Sequence, residues 1–120
     1  MYKELEYLSN LVDILSNSDT IRVFLLEHKY TAASNGNSVV TTSSGLILAE
    51  NSNRRYALIT NDSDTIIYLA LGGAAEVNKG IRLNANGGSY EINWTNRYTG
   101  SIYAIHGGTG NKLTIWTEGT

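Results

Sequence analysis

Four consecutive polar residues, Asn61-Asp62-Ser63-Asp64, place two carboxylates two positions apart between two apolar runs. A calcium loop needs alternating oxygen ligands, a central glycine and a distal glutamate, and this stretch does not meet that pattern. Asn, Asp and Ser side chains also hydrogen-bond to their own backbone in tight turns. We therefore interpret residues 61–64 as the turn of a β-hairpin and not as a metal site.

The other residues that could do chemistry are also poorly arranged for it. His28 and His106 are the only histidines, and neither has the partner at i+4 that a helical metal site needs. Residues 107–112 are glycine-rich like a phosphate-binding loop, but a strand-like run follows them where that loop needs a helix. Glu76 and Glu91 stand among apolar or amide neighbours, so a glycosidase pair of carboxylates has no support. We expect no enzyme, no metal and no cofactor.

Aromatic side chains offer a different kind of site. Tyr90, Trp94 and Tyr98, with Tyr103 and Trp116 further along, could stack on sugar rings as an exposed aromatic surface. In a small β-domain such residues more often belong to the core or to an interface. Both interpretations stay open, and the first three residues are the candidate surface.

Composition limits the classes of protein that fit. The 120 residues are 42% hydrophobic, which suits a single domain. The absence of cysteine excludes disulfides, zinc ribbons and thiol nucleophiles. A formal net charge of −2 gives no basic surface for nucleic acid, and no apolar run approaches the ~18 residues that a membrane span needs. We expect neither nucleic acid nor membrane as a partner, and the acidic start MYKELEYLSN does not resemble an export signal.

Glycine and charge divide the chain into three parts. Residues 1–30 contain no glycine, whereas residues 31–120 contain all twelve. Residues 31–45 are mostly small and polar, which is typical of a linker or long loop. We therefore predict an N-terminal segment over residues 1–30, a polar linker over 31–45 and a β-domain over 46–120.

An apolar stripe runs through the N-terminal segment. Its members are spaced four, three, four and three residues apart, which is the rhythm of a coiled-coil seam and predicts a short helix. They are Met1, Leu5, Leu8, Val12 and Leu15. Because so short a helix is marginal in water, the stripe needs a partner surface. That surface is either the β-domain of the same chain or another subunit. The run over residues 21–26 favours a strand, with a second helix as the alternative.

Six short runs in the remainder are rich in β-branched and aromatic residues and are bounded by Gly, Asn, Ser or Asp. They cover residues 56–60, 65–71, 80–83, 89–94, 101–105 and 112–117. This spacing predicts a mainly β fold, an antiparallel β-sandwich or barrel of jelly-roll-like type with a short N-terminal helical segment. The run over 65–71 is apolar on both faces, which predicts that another sheet or another subunit covers its second face.

The pattern of strands and turns over residues 53–56, 59–64, 67–69, 80–83, 87–92 and 98–105 resembles small β-rich virion proteins of tailed bacteriophages. The resemblance implies a non-enzymatic structural component of the particle, made in the host cytoplasm. It would be a capsid decoration (cement) or head-fibre protein whose partner is the major capsid protein on the capsid surface. Self-association is expected because the two-faced apolar strands and the apolar stripe lack enough cover within 120 residues, and the resemblance implies a trimer. The alternative is a carbohydrate-binding or adhesin module. Leu5, Leu8, Val12 and Leu15 are the expected oligomer or capsid interface.

Overall fold

The computed structural model describes residues 29–120, in which every regular element is a β-strand. The strands are β1 (Ala33–Val40), β2 (Gly45–Leu48), β3 (Tyr56–Asn61), β4 (Ile67–Leu71), β5 (Ile81–Leu83), β6 (Ser89–Ile92), β7 (Ile102–His106) and β8 (Lys112–Gly119). The prediction of a mainly β, antiparallel fold is confirmed, and each of the six predicted runs overlaps one strand. The predicted helix with its stripe (Leu5, Leu8, Val12, Leu15) and the element predicted over residues 21–26 lie outside the described residues.

Two separate four-stranded antiparallel sheets make up the fold. The first sheet has the order β1-β8-β3-β6, and the second has the order β2-β7-β4-β5. Only β4 and β5 are both consecutive in the chain and paired with each other, so every other connection passes from one sheet to the other. The two sheets face each other across one core, which agrees with the sandwich alternative of the prediction.

The core lies between the sheets and takes alternate residues from their strands. In β3, Ala57 and Ile59 are fully buried, while Leu58 and Thr60 lie on the outer side and are half-buried. This period of two is the expected pattern of a strand with one face in a core. The cluster includes residues from both sheets: Val40, Ile47, Leu48, Ala57, Ile59, Ile67, Leu69, Leu83, Ile92, Ile102 and Ala104.

The linker predicted over residues 31–45 is wrong for most of its length. Strand β1 pairs with β8 without interruption from Ala33, opposite Gly119, to Val40, opposite Lys112. The small residues of β1 were interpreted as a linker, but at least one of them is small because a side chain packs against it. A Cβ added at Gly36 would lie 2.5 Å from the ring of Trp116. The sandwich therefore begins at residue 33 and not at 46.

The second face of β4 has cover that the sequence interpretation did not foresee. Ile67 and Leu69 are buried in the core, and Tyr68 is half-buried on the outer side. The Tyr68 hydroxyl donates a 2.8 Å hydrogen bond to Oδ1 of Asn78, in the loop over residues 72–80. The loop ends at Gly80, where the chain enters β5 beside β4 in the same sheet. Part of the predicted cover thus comes from the chain's own loop.

Candidate functional site

The Asn61–Asp64 stretch forms a corner between the two sheets. Asn61 ends β3 in the first sheet and is fully buried, and β4 in the second sheet follows. Its Nδ2 donates to the carbonyl oxygens of Thr65 (2.8 Å) and Leu83 (3.1 Å), and its Oδ1 accepts from Ser63 Oγ (2.6 Å). The hairpin interpretation is therefore wrong, because β3 and β4 do not pair. A turn signal marks a reversal of the chain without saying which sheet receives the next strand.

The carboxylate of Asp64 at this corner is engaged by protein groups. It accepts hydrogen bonds from Lys112 Nζ (2.8 Å) and from Thr65 Oγ1 (3.0 Å). The bond from Lys112 lowers the pKa of Asp64 below its usual value, with a smaller contribution from Thr65. No group of three or more His, Cys, Asp or Glu side chains in residues 29–120 could hold a metal ion.

The glycine-rich loop after β7 is held by His106. This histidine is fully buried, and its Nδ1 accepts a 3.1 Å hydrogen bond from the Gly108 amide. Because Nδ1 accepts, the ring proton lies on Nε2, which is 2.7 Å from the Gly110 carbonyl oxygen. Strand β8 follows the loop where a phosphate-binding loop would need a helix. His106 thus uses both ring nitrogens to fix this turn.

Glu76 and Glu91 lie on different parts of the molecule, in a loop of the second sheet and on β6 of the first. Glu76 pairs with Lys79 three residues later, and both side chains are exposed. Glu91 accepts hydrogen bonds from Asn93 Nδ2 (2.8 Å) and from the Tyr56 hydroxyl (2.9 Å). These bonds, that of Asn93 first, lower the pKa of Glu91, and the bond to Glu91 raises the pKa of Tyr56.

The three candidate aromatic residues do not form one exposed surface. Tyr90 and Tyr98 are half-buried and pack against the core cluster. Tyr90 alternates with Glu91 on β6 and so faces inward, while the Tyr98 hydroxyl donates to the Ser101 carbonyl oxygen at 3.0 Å. Trp94 is 60% exposed in the turn after β6. An exposed aromatic surface for sugar stacking would therefore consist of Trp94 and would not include Tyr90 or Tyr98.

Arg54 was missed as a structural residue by the sequence interpretation. It is fully buried, and its Nε donates to Glu118 Oε2 at 2.7 Å. Its other nitrogens donate to the carbonyl oxygens of Ala49, Tyr98 and Gly100 at 2.6–3.1 Å. One guanidinium thus joins two loops to β8. The sequence offered no signal for this, because Arg54 stands beside a second arginine in a polar stretch.

The outer face of the first sheet carries a shallow groove of about 290 Å³. It is lined by Asn35, Gly36, Leu58, Thr60, Ile115, Trp116 and Thr117. Ile115 is 41% exposed, and Val39 on the neighbouring strand is 52% exposed. At the other end of the same face, Tyr30 lies against Gly119 and stacks on Tyr56. The outer face of the first sheet is therefore an open surface with both polar and apolar groups.

Comparison with known proteins finds no matching family model, no similar curated protein and no similar solved structure. Among residues 29–120, no helix is long and apolar enough to cross a membrane.

Proposed function

We propose that this chain is a non-enzymatic structural protein of a tailed-phage particle, a capsid decoration (cement) protein that binds the outer capsid surface as an oligomer. The observation that carries the proposal is the strand order, β1-β8-β3-β6 facing β2-β7-β4-β5. We interpret this order as an eight-stranded jelly roll, the double-sheet fold of viral capsid and lectin domains. The interpretation agrees with the resemblance of the sequence to small phage virion proteins.

The use of the buried polar groups also supports a structural role. Four polar or charged side chains are buried in the described part of the chain: Arg54, Asn61, His106 and Thr114. Each bonds to backbone or side-chain groups of the same chain, and no buried side-chain nitrogen or oxygen in residues 29–120 lacks a partner. These bonds hold the described domain in one conformation, and the proposal assigns its function to the outer surface.

Binding of the purified chain to undecorated capsids tests the proposal. We expect it to sediment with capsids in a saturable way and to leave free major capsid subunits unbound, because cement proteins recognise junctions of an assembled shell. Capsids with bound protein should withstand higher temperature than bare capsids, since a ligand stabilises the state that it binds. If the chain does not sediment with the bare capsids, the proposal is contradicted.

Exposure of Trp94 favours a second candidate, a carbohydrate-binding module on the particle. The turn that carries Trp94 is fixed by hydrogen bonds, since Asn93 Oδ1 accepts from the amide (2.9 Å) and the hydroxyl (2.6 Å) of Thr95. An exposed indole on a fixed turn can stack on a sugar ring. Binding in a glycan array that Trp94→Ala abolishes, with Tyr68→Phe as control, would support this candidate.

A further inference from the structure

Within residues 29–120, the sandwich has four edge strands, β1 and β6 in the first sheet and β2 and β5 in the second. An edge strand offers unpaired N–H and C=O groups, and natural proteins protect edges with short strands, charges or bulges. Strand β2 has four residues and a register shift between Leu46 and Leu48. Strand β5 has three residues with Arg82 among them, and β6 has four with Glu91. Three of the four edges thus carry a protective feature.

Strand β1 has none of these features. It has eight residues, ASNGNSVV, without charge or proline, and its pairing with β8 shows no register shift. Alternate residues of a strand direct their backbone N–H and C=O groups to opposite sides. About half of the residues of β1 therefore direct both groups away from β8, to the free side. The free edge is about 26 Å long at ~3.3 Å per residue. Ser38 Oγ does donate to the Ile47 carbonyl oxygen, but that side chain lies on the inner face.

The chain before β1 does not turn toward this free edge. The Ala32 carbonyl accepts from the Thr120 amide, which extends the pairing with β8. Tyr30 then lies against Gly119 of β8 and stacks on Tyr56 of β3. The described chain therefore enters over the outer face from the β3 side, away from the free edge. A hairpin between β1 and the residues immediately before it is incompatible with this path.

We propose that the free edge of β1 pairs antiparallel with β1 of a second copy, so that one sheet continues through both molecules about a two-fold axis. Such a contact is self-complementary, as a two-fold interface must be. The two sandwiches stay on the same side only if outward-facing residues lie opposite outward-facing residues, so the axis passes through a residue position. We place it at Gly36, next to the middle of β1, where Asn35 of one copy lies opposite Asn37 of the other. With the axis at Gly36, Val39 of one copy lies beside Ala33 of the other.

The two-fold contact uses the backbone edge of β1 and needs no capsid surface. A two-fold contact gives an even number of copies, either a dimer or a hexamer made of two trimers. It is therefore incompatible with an isolated trimer, so the number of copies in solution separates it from the trimer expected from the resemblance. Capsid binding is a separate measurement and can fail or succeed without it.

Sedimentation of the full chain over about 1 to 500 µM, the range of ordinary weak association, tests the contact. The variant Asn35→Lys/Asn37→Lys puts like charges opposite each other at the axis, where they are unfavourable. The control Ser52→Lys/Ser89→Lys adds the same charge at exposed positions away from β1. We expect dimers or hexamers for the wild type and the control, and at least tenfold weaker association for the β1 variant, about 1.4 kcal/mol. At concentrations where all three proteins are monomeric, their melting temperatures should be the same.

Cross-linking locates the contact, because the chain contains no cysteine. A short bifunctional maleimide should join two copies of Asn37→Cys but not of Ser89→Cys, on the opposite edge of the same sheet. Any of four results would overturn the proposal: monomers or trimers throughout the concentration range, equal weakening in both lysine variants, equal cross-linking at both positions, or β1 amides protected from hydrogen exchange in a chain that stays monomeric. The last would mean that residues of the same chain cover the edge.

Discussion

The ring of Tyr30 stacks on the ring of Tyr56, with centroids 5.4 Å apart and ring planes 22° apart. This contact fixes where the chain enters the sandwich, because Tyr56 begins β3 near the middle of the first sheet. The Arg55 guanidinium reinforces it by donating to the Lys29 carbonyl oxygen. Lys29 and Tyr30, the first described residues, are therefore anchored on the outer face of the first sheet.

Removing the Tyr56 hydroxyl should change the ionisation of Glu91. The pKa of Glu91 is lowered by hydrogen bonds from Asn93 first and Tyr56 second, so Tyr56→Phe should raise it part of the way to its usual value. Tyr68→Phe is the control, because its hydroxyl bonds to Asn78 and not to a carboxylate. An NMR titration of the Glu91 carboxyl carbon measures the change. An unchanged Glu91 pKa in Tyr56→Phe would contradict the hydrogen bond.

The same lowered pKa fixes the sign of a pH dependence. As the pH falls, the unfolded state protonates Glu91 before the folded state does. The stability from this carboxylate is therefore complete above its unfolded pKa of about 4.3 and is lost as the pH falls through the lower folded pKa. Thermal melts from pH 7 to pH 2 should show a smaller acid-side loss in Tyr56→Phe than in the wild type. An equal loss in both proteins would argue against the linkage.

Loss of the Arg54 side chain should strongly destabilise the domain. Arg54→Ala removes a buried partner of Glu118 and leaves three carbonyl oxygens without their donor. Breaking a buried ion pair in this way costs about 3–5 kcal/mol, a large part of the stability of a small domain. The exposed Arg82→Ala should change stability by about 0.5 kcal/mol or less. Urea unfolding measures both, and similar midpoints for the two variants would refute the role of Arg54.

Gly80 should tolerate no side chain. Its φ is +80°, and an added Cβ would lie 2.3 Å from the Leu69 carbonyl oxygen. The left-handed conformation alone costs alanine roughly 1–2 kcal/mol, and the clash adds to this. Gly73 in the same loop has no atom within 4 Å of an added Cβ. We expect a clear drop in melting temperature for Gly80→Ala and little or none for Gly73→Ala. Equal melting temperatures would contradict the described loop.

The apolar stripe is tested by Leu8→Asp/Val12→Asp. If the stripe contacts another subunit or the shell, the variant should keep its melting temperature but lose assembly or capsid binding. If the stripe packs on its own β-domain, the melting temperature should fall by several degrees instead, since each buried aliphatic side chain contributes about 1.5–3 kcal/mol. Ser9→Asp/Asn10→Asp adds the same charge beside the stripe as a control. A stripe variant that melts and assembles normally would refute both interpretations.

The sequence predicted strands well where apolar residues alternate, because burial of one face imposes a period of two. Residues 56–60 and 101–105 are examples. It failed at β1, whose Gly36 and Ser38 are small because Trp116 packs over the glycine and donates to the serine hydroxyl. It also failed at Asn61, since turn chemistry does not reveal which sheet the next strand joins.

Side-chain burial was predictable only where the face of the strand was known. The candidate surface of Tyr90, Trp94 and Tyr98 treated three aromatic residues alike, although Tyr90 faces the core and Trp94 lies on a turn. Arg54 could not be identified because its partners lie 5 to 64 residues away in the chain. Such contacts depend on which sheet each successive strand joins, and local sequence patterns do not predict this.

Electron cryomicroscopy of particles assembled with this chain tests its proposed place on the capsid most directly. We predict density for an eight-stranded sandwich on the outer capsid surface, in a fixed ratio to the major capsid protein. Two results together would contradict the proposal. Complete capsids would show no such density, and mass spectrometry of the same particles would detect no trace of the chain.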